Sequence, residues 1–231
     1  MKLAIMQPYF FPYLGYWQML NAVDVFVIYD DVNYIKRGWI NRNNILSKNT
    51  GHLITLALEK VSQFKKINET TILIGSREKV LAFIRNSYLK APFFETVYPL
   101  IKEIISYPEN NIALFLENQL KMVSSYLGIT TKILLSSRDV KKDQSLTAQN
   151  KILQICKNTG ATQYINAIGG QILYDKQIFM QNGIKLNFIK PNSVIYTQFN
   201  NEFVPNLSII DVMMFNSPEM INKMLGSYEL V

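Results

Sequence analysis

The chain has almost none of the residues that build metal and redox chemistry. Among 231 residues there is one cysteine, Cys156, and one histidine, His52. A single cysteine excludes an internal disulfide and any thiolate cluster. A single histidine excludes a histidine-rich zinc site, so no metal is expected. No apolar run approaches the ~20 residues that a membrane-spanning helix needs. At the N-terminus, Lys2 is followed by four apolar residues before Gln7 and Pro8. That is not the pattern of a secretion signal, and a cytoplasmic location is expected. Repeats, low-complexity tracts and Gly/Ser-rich linkers are all missing, so one α/β domain is expected over residues 1–231. Neither a carrier-arm site nor an ATP-binding signature is legible, and the cofactor is left unassigned.

What is present is a globular composition, 48% hydrophobic and 18% charged. The net charge of +7 favours anionic partners, either nucleic acid or an anionic metabolite such as a nucleotide-sugar. The lysines are dispersed, with pairs only at Lys65–Lys66 and Lys141–Lys142. Such pairs read as solvated surface, so charge alone does not select nucleic acid.

Short apolar runs, "KLAIM" and "VFVIYD", read as buried strands on either side of a turn and a short helix around "LGYWQMLNAV". A third strand is expected at "HLITLAL". Helices follow at "SREKVLAFIRNSYLKA", with Ser76 as N-cap, at "TVYPLIKEIIS" and at "NNIALFLENQLKMVSSYLG". The second half then alternates: strand "TKILLSS", helix "SLTAQNKILQICKNTG", strand "TQYINA", helix "ILYDKQIFMQNG", strand "IKLNFIK" and two closing helices, the second capped by Asn216 or Ser217. This alternation implies a mainly parallel, Rossmann-like sheet flanked by helices. In such sheets ligands bind beyond the carboxyl ends of the strands. The loops "MQPYFFPY", "YDDVNYIKRGWINRN", "SSRDVKKDQS" and "NAIGGQILY" each follow an expected strand and should open on one edge.

The first of these loops is uncharged and crowded with aromatics stiffened by Pro8 and Pro12. It can be core packing, or it can floor a pocket for a sugar or nucleobase, with Gln7, Tyr9 and Tyr13 as binding candidates. The second is dense in hydrogen-bonding side chains. Tyr34, Lys36, Trp39, Arg42 and Asn43 together suit phosphate and sugar or base recognition, although singly each is better read as polar surface. His52 and the Asp30–Asp31 pair, Asp31 foremost, are the first candidates for a general base near neutral pH, His52 being equally explicable as structural. In "NAIGG", Gly169 and Gly170 offer either backbone N–H groups to an anion or a tight turn with positive φ, and Asn166 adds a side chain at the strand end. Ser145 is most simply a helix N-cap. Cys156 lies in an apolar helix and is expected to be buried and inert. Asp211, in "LSIIDVMMF", must find a buried partner.

The elements "MQPYFFPYLGYWQMLNAVDVFVIYDDVNYIKRGWINRN", "GATQYINAIGG", "LYDKQIFMQNGIKL" and "NEFVPNLSIIDVMMFNS" together resemble the WbqC-like family nearly from end to end. That resemblance implies a place in O-antigen and surface-polysaccharide biosynthesis. It further implies transfer of an acyl or aminoacyl (glycyl) group to an amino-sugar nucleotide, with a non-catalytic nucleotide-sugar or glycan-binding partner of that pathway as the alternative. Nucleic acid would then enter only as an aminoacyl-tRNA donor. The matching residues include Gln7, Pro8, Asp31, Tyr34, Trp39, Arg42, His52, Asn166, Gly170 and Asp211. The strand–turn–helix start also resembles the HxGH nucleotidyltransferases in outline. Tyr13, Gly15 and Tyr16 stand at the motif positions, and tyrosine cannot supply the imidazole charge of that chemistry.

Overall fold

Backbone polar groups in so apolar a chain must be paired internally, and the strand and helix patterns divide that task between them. The computed structural model describes residues 1–199 and 202–231. Its elements run β1 Lys2–Met6, α1 Leu14–Asn21, β2 Val25–Ile28, β3 Arg42–Ser47, β4 Thr50–Thr55, a 3-10 turn Ile67–Glu69, α2 Ser76–Tyr88, α3 Phe94–Ser106 and α4 Ile112–Tyr126. The second half runs β5 Lys132–Leu135, α5 Ser136–Asp139, α6 Ala148–Thr159, β6 Gln163–Ala167, a 3-10 segment Ile168–Leu173, α7 Lys176–Gln181, β7 Lys185–Pro191, α8 Ile209–Phe215, α9 Pro218–Leu225 and β8 Tyr228–Leu230.

The sheet has the order β5-β2-β1-β6-β7-β8, parallel throughout except for the antiparallel β8 at its edge. This is the mainly parallel α/β architecture read from the sequence. Both faces are apolar, and the strand period of two sorts them. Ala4, Phe26, Ile28, Ile165 and Ile189 enter the larger core, whereas Leu3, Ile5, Val25, Val27, Tyr164, Leu186 and Phe188 enter the smaller one. Helices α6 and α7 supply the smaller core through Ile152, Ile155, Cys156 and Phe179. At the ends of three helices, Gly128, Gly160 and Gly183 take positive φ and release the chain toward the next strand.

Several local readings change. The strand in "HLITLAL" forms, but as β4 it pairs antiparallel with β3 in a separate hairpin. The polar stretch expected to be a loop therefore ends inside a strand from Arg42 onward. Ser76 is the first helical residue, and Gly75 in left-handed conformation occupies the cap. Thr147, not Ser145, precedes α6, while Ser145 bonds Asp143 instead. The segment "ILYDKQIFMQNG" divides, because Asp175 caps a new helix through the N–H of Gln177. Ser217 caps α9, with Pro218 at its first position. The tail beyond it is the strand β8.

The aromatic turn is mostly core. Phe10, Phe11 and Trp17 are wholly buried and Tyr16 nearly so, leaving Tyr13 and part of Tyr9 to reach the surface. Phe11 has φ 41°, a conformation that a bulky residue holds only under outside constraint. The constraint is visible. Gln119 of α4 accepts from the Phe11 N–H at 3.0 Å and donates to the Tyr9 carbonyl at 3.0 Å. Asn43 donates to the Phe10 and Phe11 carbonyls, and Ser208 Oγ donates to the Phe11 carbonyl at 2.7 Å. Gln119→Ala should destabilise the protein by roughly 2 kcal/mol, because a buried N–H loses its acceptor. Urea unfolding with an unchanged midpoint would show that the turn holds itself.

Candidate functional site

The chain order moves outward from β1 to β2 and β5, then returns to β6 and β7 on the other side. The strand order thus reverses between β1 and β6, which is where doubly wound sheets open a crevice. On the β1 side of this reversal the turn Gln7–Tyr13 leads into α1. A cavity of about 420 Å³ lies at the start of α1, lined by Tyr13, Gly15, Gln18, Pro191, Asn192 and Tyr196 among others. Its size falls in the range of small-molecule sites. Gly15 is needed there by close approach. A Cβ would stand 2.5 Å from the Tyr13 ring and 3.0 Å from Pro191 Cγ. Gln18 is fully buried, and its Nε2 donates to the carbonyls of Met224 at 2.8 Å and Ser227 at 2.9 Å. Those bonds orient the amide and leave Oε1 buried without a partner. Tyr16, at the position compared with the HxGH motif, turns inward and donates to the Gln7 carbonyl at 3.0 Å.

A second cluster lies at the carboxyl ends of β2 and β5. Asp31 is buried, with its Oδ2 3.0 Å from Lys142 Nζ and 3.8 Å from Lys151 Nζ. Lys142 also donates to the carbonyls of Ser136 and Val140. The Ser136 hydroxyl faces the carboxylate without forming a well-aligned hydrogen bond. Burial alone would raise the Asp31 carboxyl, but this hydroxyl and the two ammonium groups outweigh it and hold the group below the usual carboxylate range. The neighbouring Asp30 moves the other way. Burial raises it, although Ser137 donates to it from N–H at 2.9 Å and from its hydroxyl, and Asn68 Nδ2 donates at 3.2 Å. Lys151 Nζ stands over the Tyr29 ring, 5.8 Å from its centroid. Tyr29 is shifted far above its ordinary value by burial, with Asp31 and Tyr174 adding to the shift. Tyr174 packs edge-on to Tyr164, whose hydroxyl accepts from Asn166 Nδ2 at 2.9 Å.

The structure distributes the other expected site residues widely. Gly170 packs its backbone on Asn166, where a Cβ would lie 3.1 Å from Oδ1, and neither Gly169 nor Gly170 has positive φ. Close approach, not a left-handed turn, accounts for Gly170. Tyr34 donates to Asn41 at 2.7 Å, and Asn43 is consumed by the aromatic turn. Arg42 bonds the carbonyls of Gly38 and Arg37 within its own loop. Lys36 is exposed and Trp39 is 41% exposed. His52 is exposed on β4 and stacks on Phe83 of α2, with centroids 4.8 Å apart. It shares no contact with Asp31.

Two lysines escaped the sequence reading. Lys142 belongs to a pair read as solvated surface, yet its side chain is 1% exposed. For Lys151 a signal exists. It lies four residues before Ile155, on the apolar stripe of α6, where a lone cation needs a buried partner. Cys156 is buried, and that burial pushes its thiol up to about 12, consistent with an inert residue.

Among the described residues no group of His, Cys, Asp and Glu could hold a metal ion, and no helix is long and apolar enough to cross a membrane. No solved structure matches the chain significantly. An uncharacterised protein of Mycobacterium tuberculosis, Rv1507c, is 30% identical over 218 residues, covering 92% of each chain. The profile of the WbqC-like protein family matches residues 7–223. The chain belongs to the WbqC-like protein family.

Proposed function

We propose that the protein works in surface-polysaccharide (O-antigen) biosynthesis and transfers an acyl or aminoacyl group, such as glycyl, to an amino-sugar nucleotide. The observation that carries this reading is the aromatic-lined cavity at the start of α1, beside the reversal of strand order. Tyr13 and Tyr196 line it with aromatic rings suited to a sugar or base, and Asn192 adds a polar side chain to its wall. The basic net charge of +7 favours the phosphate-bearing substrate. In the reaction the substrate amine attacks the carbonyl carbon of a pre-activated donor, the donor's leaving group departs with the bonding pair, and the amine proton passes to a base. Alignment of the two substrates supplies much of the rate.

A second reading has its own observation. Neither candidate base lines the cavity: Asp31 is committed to two lysines, and His52 stacks on Phe83. A carboxylate held below its usual range is a poor proton acceptor. This favours a nucleotide-sugar-binding partner without turnover. Mass spectrometry separates the two. Purified protein is incubated with amino-sugar nucleotides and, in turn, acyl-CoA, glycine with ATP, or glycyl-tRNA. The transferase reading expects a mass gain on the sugar with one donor. Measurable binding without mass gain from any of these donors leaves the binding reading.

A further inference from the structure

The Lys142–Asp31–Lys151 cluster is electrically incomplete. One carboxylate serves two ammonium groups, and they are not equally served. Lys142 has the 3.0 Å ion pair and two carbonyl acceptors. Among the described residues, Lys151 has only the 3.8 Å contact to the same Oδ2 and the face of Tyr29, with no hydrogen bond, and its side chain is 10% exposed. Most of this side chain is covered, and a cation so placed ordinarily gains hydrogen-bond acceptors. Asp30 next door does not supply them, because its oxygens accept from Ser137 and Asn68. On the other side of the pair, neither buried oxygen of Asp31 accepts a well-aligned hydrogen bond, and the Ser136 hydroxyl that faces the carboxylate is poorly directed toward it. The cluster therefore lacks an acceptor for Lys151, and beside it Asp31 has room for a better-directed donor than the Ser136 hydroxyl.

We propose that Lys151 is the anion-recognising residue of a ligand subsite. It takes a phosphate or carboxylate oxygen, while Asp31 Oδ1 receives a hydroxyl or amine donor from the same ligand, and Lys142 holds Asp31 in place. The position fits a substrate site, since Asp31 lies three residues beyond β2 and Ser136 directly follows β5, parallel strands whose carboxyl ends carry ligands in this class of sheet. The 3-10 segment leaves Ile172 93% and Leu173 64% exposed. Just beyond, the Asp175 N–H donates to Gln149 Oε1 at 2.6 Å, tying this segment to the first turn of α6. The inference rests on the substrate class proposed above, and goes further in naming the residue that reads its charge.

Isothermal titration with pyrophosphate, phosphate and acetate tests it. Wild-type protein should bind at least one of these anions at millimolar concentrations. The arm that binds tightest distinguishes a phosphate from a carboxylate ligand. Lys151→Met should weaken that binding roughly ten-fold or more, as loss of a charged hydrogen bond does. Lys151→Arg should largely retain it, and Lys157→Gln, on the exposed side of the same helix, should leave it unchanged. Unchanged affinity in a folded Lys151→Met variant, or no anion binding by the wild type, overturns the proposal. Should that variant not fold, side-chain NMR of lysine-labelled wild type decides: a Lys151 Nζ signal unmoved by pyrophosphate overturns it equally. Anion binding that depends on Lys151, with no mass gain in the transfer assay, would overturn the transfer reading alone.

Discussion

Asp211→Ala will destabilise the protein by about 3–5 kcal/mol, in the range observed when one partner of a buried charged network is removed. Asp211 is wholly buried. Its Oδ1 accepts from the Tyr88 hydroxyl at 2.8 Å, and its Oδ2 from the Tyr196 hydroxyl at 2.7 Å and Gln198 Nε2 at 2.6 Å. Tyr88 in turn accepts from the Leu46 N–H at 2.9 Å. One carboxylate thereby joins α2, α8, the hairpin strand β3 and the segment after β7. Alanine strands three donors, those of Tyr88 and Gln198 in the buried interior and that of Tyr196 at the cavity wall. Asp211→Asn offers little rescue, because the amide NH₂ at Oδ2 meets the Tyr196 and Gln198 donors. At about 2–4 °C per kcal/mol for a domain of this size, the expected fall in Tm is roughly 10 °C. A Tm within a degree or two of wild type would show that water reaches the network. The pH dependence has a definite sign. Burial raises the Asp211 carboxyl above its ordinary value. The folded state therefore keeps this proton longer, and the group's contribution to stability declines as pH rises from the ordinary value to the raised one.

Asp31→Asn is the second large effect, of the same order at neutral pH. It leaves Lys142 and Lys151 buried without a counter-charge, which costs about 3–5 kcal/mol. From its position in a polar stretch alone, Asp31→Asn should lower turnover without unfolding the chain; burial changes that expectation. Here the sign is opposite to that of Asp211. The Asp31 carboxyl is held below its ordinary value, so its stabilisation is complete above that value and is lost as pH falls through the lowered one. The stability gap between wild type and Asp31→Asn should accordingly close in acid. Adding Lys142→Met to Asp31→Asn should recover part of the loss, since it removes one of the stranded charges. Urea unfolding of the single and double variants between neutral and acid pH measures both effects. A gap that stays constant with pH, or a double variant no more stable than the single, would mean that the triad is not an ion pair in solution.

The strands of the sheet were legible because burial on both faces leaves compact apolar runs, such as "KLAIM" and "VFVIYD". The hairpin was not. Its β3, "RNNILS", begins with three polar residues, and only the tertiary structure shows that Asn43 is polar in order to cap the carbonyls of Phe10 and Phe11. The same confusion ran through the candidate site. Tyr34, Arg42 and Asn43 have the chemistry of ligand-binding residues, and a chain that must satisfy buried backbone groups uses that chemistry internally.

By its own residues, then, the sequence determined the alternation of strands and helices, the mainly parallel sheet and the edge on which chemistry-bearing loops emerge, since these follow from local periodicity and chain direction. It also determined the family, through motifs spread from Met6 to Ser217. Which polar side chains are spent on the fold and which stay available was decided only by the tertiary structure. Asp31, Lys142 and Lys151 are up to 120 positions apart along the chain and become one electrostatic unit where β2, β5 and α6 converge. Charge pairing of that kind has no period and leaves no local trace; it depends on three-dimensional distance and on the water that folding removes.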